Sequence, residues 1–175
     1  GNYSLSQPTT TANITAATLT VTGITASDRN YDGTTTASVN TGSAAFSGVI
    51  GSDTVTIVTT GVTGAFSSAG FGTNKTVQIS GVSKSGADAG NYTITQPTTT
   101  ASISKYVLTV TGITAANKTY DASTTATLST GSASLSGVQN GETVTLNTGS
   151  ATGAFGDKNV GAGKSVQVSG LTISG

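Results

Sequence analysis

The sequence predicts an all-β protein: tandem small β-sandwich or β-grasp-like repeats in an elongated array, with essentially no helix. Three observations carry this reading. Val, Ile and Thr alternate along short runs, as in Leu19-Thr20-Val21-Thr22 and Thr54-Val55-Thr56-Ile57, which is the period of a half-buried strand. Clusters of Gly, Asn and Asp separate those runs. No stretch joins a 3.6-residue apolar period to caps at both ends.

Taken in order, strands are expected at 18–26, 34–40, 53–59, 75–82 and 91–96, with a short one at 44–47. The breaks fall at Asp32-Gly33, Gly48, Gly51, Gly61, Gly64, Gly70-Phe71-Gly72 and residues 86–90, all turn-forming compositions. In the first run Leu19 and Val21 share a face, but Ile24 falls on the wrong parity. A β-bulge at Gly23, repeated at Gly112, would return Ile24 to the core. The apolar anchors are few: Leu19, Val21, Ile24, Tyr31, Phe46, Val55, Ile57, Phe66, Val77, Ile79, Tyr92 and Ile94. So thin a core makes a domain marginal by itself, and stacking on neighbouring repeats is expected to help.

Self-similarity is the strongest signal. GNYSLSQPTTTA at 1–12 returns as GNYTITQPTTTA at 90–101, LTVTGITA at 19–26 returns at 108–115, and TGAF at 63–66 returns at 152–155. The offset is 89 residues throughout without a gap, as from Tyr31 to Tyr120. Loop lengths are therefore kept along with the strands. Placing the boundary just after the QPTTTA segment gives a complete repeat at 16–104 and a second repeat, lacking its last strand, at 105–175. Residues 1–15 then read as the closing strand of a preceding repeat. An orphan strand such as Asn2-Tyr3-Ser4-Leu5-Ser6 has the form needed to fill the open sheet edge of an adjacent chain, and head-to-tail exchange of that kind builds fibres.

Composition removes several function classes. Seven basic and seven acidic residues leave no net charge, so neither nucleic acid nor a membrane surface has an electrostatic footprint to meet. No 18-residue apolar run suggests membrane insertion. Cys, His, Met and Trp are all absent. Catalytic triads of the Ser-His or Cys-His kind have no members, and the scattered acids do not suggest a glycosidase pair. The chain is not expected to be an enzyme. No cofactor is expected either, and a zinc or copper site without His or Cys is improbable.

The segment Asn30-Tyr31-Asp32-Gly33-Thr34-Thr35-Thr36-Ala37 resembles the signature of YDG-type tandem repeats in very large bacterial surface and secreted proteins. Its companions are the TGAF segments, Asp157-Lys158-Asn159-Val160-Gly161, and residues 86–92 reading GADAGNY. Those proteins look like filamentous-haemagglutinin-type adhesins, many of them exported by two-partner secretion. The resemblance implies an extracellular or bacterial cell-surface location, tandem arrays, and a spacer or adhesive role. The second copy departs from the motif, reading Tyr120-Asp121-Ala122-Ser123.

Candidate sites follow. Tyr31-Asp32 and Tyr120-Asp121 suit sugar binding at a loop tip, or a turn in which Asp accepts nearby backbone N–H groups while Tyr packs on the strand below. Asp157-Lys158-Asn159 and Ala87-Asp88-Ala89 suggest a calcium site, although calcium wants six to eight oxygens. Lys75, Lys84, Lys105 and Lys164 among many Asn residues raise an isopeptide staple, for which Glu142 and its counterpart Asp53 are the available carboxylates. Asn2, Asn13, Asn74, Asn91 and Asn117 head Asn-x-Ser/Thr sequons, candidate glycosylation points on surface loops. The expected function is a structural spacer repeat of an adhesin or surface fibre that extends and presents a distal region. The alternatives are a filament subunit joined by strand exchange, or a module binding glycans or a host protein. Expected partners are neighbouring repeats of the same or an adjacent chain, and the glycans or host surface an adhesin meets.

Overall fold

The computed structural model describes residues 1–175 and is all-β, with 42% of residues in strands and one 3-10 turn, Ala89–Asn91, as its sole helical piece. No helix is long and apolar enough to cross a membrane. The chain divides into two compact units, residues 1–29 with 34–104, and residues 30–33 with 105–175.

The first unit runs β1 (Ala17–Thr22), β2 (Thr25–Ala26), β3 (Arg29–Asn30), β4 (Thr36–Ala37), β5 (Val39–Asn40), β6 (Ala45–Ser47), β7 (Thr56–Val58), β8 (Thr63–Phe66), β9 (Gly72–Ser80), β10 (Ser83–Ser85), β11 (Tyr92–Thr95) and β12 (Thr98–Ser104). Two sheets dominate: β11-β1-β6, and β3-β12-β9-β8-β4. Two-stranded ribbons β2-β5 and β10-β7 complete the unit. β1 pairs with β11 in parallel, Ala17 opposite Tyr92 and Leu19 opposite Ile94. Parallel neighbours need a long crossover, and here nearly the whole repeat serves as one. The remaining registers are antiparallel, with β9 at the centre of the larger sheet between β8 and β12.

Leu19, Val21, Ile24, Phe66, Val77, Ile79 and Tyr92 are buried as the alternation predicts, joined by Ala37, Val82, Ala101 and Ile103. Tyr31, Phe46, Val55, Ile57 and Ile94 are only half-buried. The strand expectation missed β8, β10 and above all β12, which covers the Thr-rich segment just ahead of the repeat boundary. Ile24 does reach the core, though by a different device from a bulge. Gly23 takes φ +78° and ends β1, and β2 restarts in another sheet. A Cβ on Gly23 would lie 1.9 Å from the Ser43 carbonyl oxygen, so the chain crosses another backbone where only glycine fits. Gly112 repeats the crossing against Ser132, at 2.0 Å.

The second unit runs β13 (Thr109–Thr111), β14 (Thr114–Ala115), β15 (Thr125–Ala126), β16 (Leu128–Ser129), β17 (Ser134–Ser136), β18 (Thr145–Asn147), β19 (Thr152–Phe155), β20 (Val166–Ser169) and β21 (Thr172–Ser174). Its pairs β13-β17, β14-β16, β15-β19-β20 and β18-β21 repeat β1-β6, β2-β5, β4-β8-β9 and β7-β10. Residues 105–175 contain no counterpart of β11 or β12. The strands that those two cover are correspondingly shorter: six residues in β1 become three in β13, and nine in β9 become four in β20. Burial falls with them. Ala126 is the one buried hydrophobic residue of the second unit, against eleven in the first. Leu108, Val110, Phe155, Val166 and Val168, the counterparts of buried residues, are all half-buried.

Residues 1–16 carry neither strand nor helix, and every one is exposed. Their counterparts 90–105 supply β11 and β12. The same sequence pattern thus appears once packed and once bare.

Candidate functional site

The motif turns are built around a cation and an aromatic ring. In the second unit the Lys118 ammonium lies 5.7 Å from the centre of the Phe155 ring. It donates to Asp121 Oδ1 at 2.7 Å and to both the carbonyl and hydroxyl oxygens of Ser123 at 2.9 Å. Asp121 Oδ1 also accepts the Ser123 N–H at 2.9 Å, a side-chain turn across Ala122. Together these contacts push the Asp121 pKa down to about 2, the lysine hydrogen bond first and the Ser123 N–H next. In the first unit Arg29 takes the place of Lys118. Its guanidinium lies 5.2 Å from the Phe66 ring centre and donates to the hydroxyl and carbonyl oxygens of Thr34. A cation over a ring face gains from the ring quadrupole, while its N–H groups hold the turn.

This cation was missed in the sequence. Its signal was available, since Arg29 and Lys118 stand two residues before each Tyr-Asp and each is matched by a Phe at the end of a TGAF segment.

The motif tyrosines differ. Tyr31 is half-buried, and residues 30–33 group with the second unit, where its hydroxyl donates to the Glu142 carboxylate. Tyr120 is 57% exposed, so the packing expected of it on the strand below is not found. Ala122 adopts φ +61° where the first copy has Gly33 at +76°. Asn74 and Asn140 likewise hold positive φ opposite Gly163 and Gly51. The backbone is the same in both copies, and the side chains bear the strain.

The acids considered for calcium serve the protein's own groups. Asp157 binds Lys164 Nζ and accepts the Asn159 N–H at 2.8 Å, and both lower its pKa, the lysine first. Asp88 accepts the Thr54 N–H at 2.8 Å. Of the staple lysines, Lys75 donates to Ser68 Oγ at 2.6 Å and Lys84 to the Ala89 carbonyl at 2.7 Å. Asp53 accepts the Tyr92 hydroxyl at 2.7 Å, and that hydroxyl accepts the Ile50 N–H at 2.9 Å. The sequon residues Asn2, Asn13, Asn74, Asn91 and Asn117 are all exposed. Asn91 closes the 3-10 turn before β11, and Asn74 lies within β9.

A cavity of about 830 Å³ lies in the second unit, lined among others by Asn117, Lys118, Tyr120, Phe155, Lys164 and Val166. In the first unit the counterparts of this lining flank β12. Thr99 pairs with Val77, Ala101 with Lys75 and Ile103 with Gly72, and the Ser102 N–H reaches Asp28 Oδ1 at 2.6 Å. The cavity is therefore the space that a strand occupies in the sister unit.

No curated protein and no solved structure matches this chain. Residues 15–101 and 104–175 each match the YDG domain. With nearly its whole length matched in two successive segments, the chain belongs to the YDG domain family.

Proposed function

We propose that this chain is a structural spacer segment of an extracellular bacterial adhesin or surface fibre, of filamentous-haemagglutinin type, that extends and presents a distal region. The observation that carries the reading is the recurrence of the pairings β1-β6, β2-β5, β4-β8-β9 and β7-β10 in the second unit at a gapless spacing. Selection on a length-adding unit keeps strands and loop lengths while letting side chains vary. The polar groups of the motif turns support the same reading, since Lys118, Asp121, Asp157 and Lys164 are spent on holding turns. Exposed positions are dominated by Thr, Ser, Asn and Gly, a sparsely charged, hydroxyl-rich surface suited to a passive stalk. Its partners in this reading are neighbouring repeats.

Pulling the chain by its ends in a force spectrometer tests the proposal. Stepwise lengthening is expected, with about 300 Å gained for an unfolded 89-residue repeat at roughly 3.4 Å per residue. A single event releasing both units together would overturn it. So would saturable binding on a glycan array that disappears in Tyr120→Ala, which favours the binding-module alternative.

A further inference from the structure

We propose that Asn140-Gly141 is a self-modification site, at which the second unit converts one asparagine to isoaspartate and aspartate without an enzyme. The inference goes beyond the spacer reading, because it concerns the covalent chemistry of a single turn.

The sequence singles out this pair. Of the asparagines in the chain only Asn140 is followed by glycine; the others precede Tyr, Ile, Thr, Lys or Val. Those side chains hinder the backbone nitrogen that must attack the amide, whereas glycine has no Cβ in the way. The first copy carries Gly51-Ser52 at the same positions, so the chemistry belongs to one unit.

The structure leaves the pair reachable. Residues 139–142 form a turn with φ +52° at Asn140 and +70° at Gly141, the two positive values of a type I′ turn. The Glu142 N–H closes it on the Gln139 carbonyl at 3.0 Å, and the Gly141 N–H takes no part in that bond. The flanking strands β17 and β18 pair with β13 and β21 and not with each other, so no ladder clamps the turn. Asn140 and Gly141 are both exposed. Gly51 and Ser52 are exposed as well, with β11 in place and the Tyr92 hydroxyl accepting the Ile50 N–H. Exposure is thus a property of the turn itself. The Asn140 Nδ2 donates to the Gly33 carbonyl at 3.5 Å, longer than a firm hydrogen bond. A left-handed residue other than glycine also stores strain, which leaving the turn relieves.

The Gly141 nitrogen gives its proton to solvent base and attacks Asn140 Cγ. The N–Cγ bond forms, the Cγ–Nδ2 bond breaks, and the amide nitrogen takes up a proton and leaves as ammonia. Water then opens the cyclic imide. Attack at Cγ restores the main chain and leaves aspartate. Attack at the main-chain carbonyl leaves isoaspartate, in which the backbone runs through Cβ and Cγ and is one bond longer. One water is consumed and one ammonia released, and nothing is oxidised or reduced. The longer backbone no longer matches a two-residue turn, and the new carboxylate stands two residues from Glu142. A chain whose formal charges cancel becomes net negative by one.

The experiment incubates the 175-residue chain in mildly alkaline buffer over weeks. Intact mass is expected to show one amide exchanged for a carboxyl per chain, in step with one new acidic band on isoelectric focusing. Electron-transfer fragmentation is expected to place the change at Asn140, with isoaspartate the larger product. Asn140→Gly copies Gly51, keeps the turn, and is expected to hold its mass and its band. Gly141→Ala is expected to slow the conversion at least about tenfold, since its Cβ obstructs the attack. Asp32-Gly33 can cyclise too, but isomerisation of a carboxyl leaves mass unchanged and cannot imitate the result. An intact amide at Asn140 after the full incubation would overturn the proposal. So would an acidic band that grows as fast in Asn140→Gly as in the parent.

Discussion

Ile103 is 2% exposed and Ile14, its counterpart 89 positions earlier, is 101% exposed. The two occupy the same place in the same sequence pattern and differ only in whether β9 lies beside them. Ile103→Ala is expected to cost the first unit about 2–5 kcal/mol, the range for removing buried aliphatic volume. Ile14→Ala is expected to stay within about 0.5 kcal/mol. Chemical denaturation of the two variants side by side checks both.

Burial also separates the two units. With Ala126 as its sole buried hydrophobic residue, the second unit is expected to unfold first, at lower temperature or denaturant than the first. Calorimetry should resolve two transitions, and hydrogen exchange should assign the earlier one to residues 105–175. A single transition with uniform protection contradicts this.

Gly23→Ala forces a Cβ to within 1.9 Å of the Ser43 carbonyl oxygen and strains a φ of +78°. A loss of at least about 2 kcal/mol is expected from the first unit. Gly112→Ala should do the same to the second, so the two substitutions identify which transition belongs to which unit. Ala122→Gly runs the other way. Relief of the left-handed strain at φ +61° exceeds the added flexibility of the unfolded chain, for a gain of about 0.5 kcal/mol. That corresponds to a rise of about 2–4 °C in the melting temperature of the second unit.

Acid acts through the motif turn. The Asp121 carboxyl titrates near 2 in the folded chain, below the unfolded value of about 3.9, because Lys118 and the Ser123 N–H hold its charged form. A depressed folded pKa means that the stabilisation is complete above about pH 4 and is lost as pH falls toward 2. Asp157, lowered by Lys164 and the Asn159 N–H, acts in the same direction. Lys118→Ala should move the Asp121 midpoint up toward the ordinary carboxylate value, read by carbon-detected NMR titration.

Tyr92→Phe removes a hydroxyl that donates to Asp53 and accepts from Ile50. The partners are left unmatched beside a buried ring, at an expected cost of about 1–3 kcal/mol. Equilibrium unfolding of the variant measures it, and a neutral result would show that water replaces the hydroxyl.

Period-two patterning was enough to identify Leu19, Val21, Val77 and Ile79 as core, because β-branched and aliphatic residues alternate there with Thr and Gln. It failed in β12. There the inward residues include Ala101 and a half-buried Thr99, which carry little hydrophobic signal, and the register shifts between Ala101 and Ile103. The parallel union of β1 with β11 has no local signature, since it joins residues a whole repeat apart. The turn cation left only a weak signal, the recurrence of Arg29 and Lys118 two residues before each Tyr-Asp. Phe66 reads as a core ring, and the pairing of β4 with β8 is what brings its neighbourhood to that of Arg29.

That parallel union also orders events in time. Thr18 meets Thr93 across 75 residues of chain, so β1 leaves the ribosome long before its outer partner exists. Until then its edge faces whatever lies nearest. In a chain made of like repeats, the nearest candidate is the corresponding strand of the copy just completed. Correct folding therefore depends on each repeat closing on itself before its neighbour's edge becomes available, and pairings this distant in sequence close slowly.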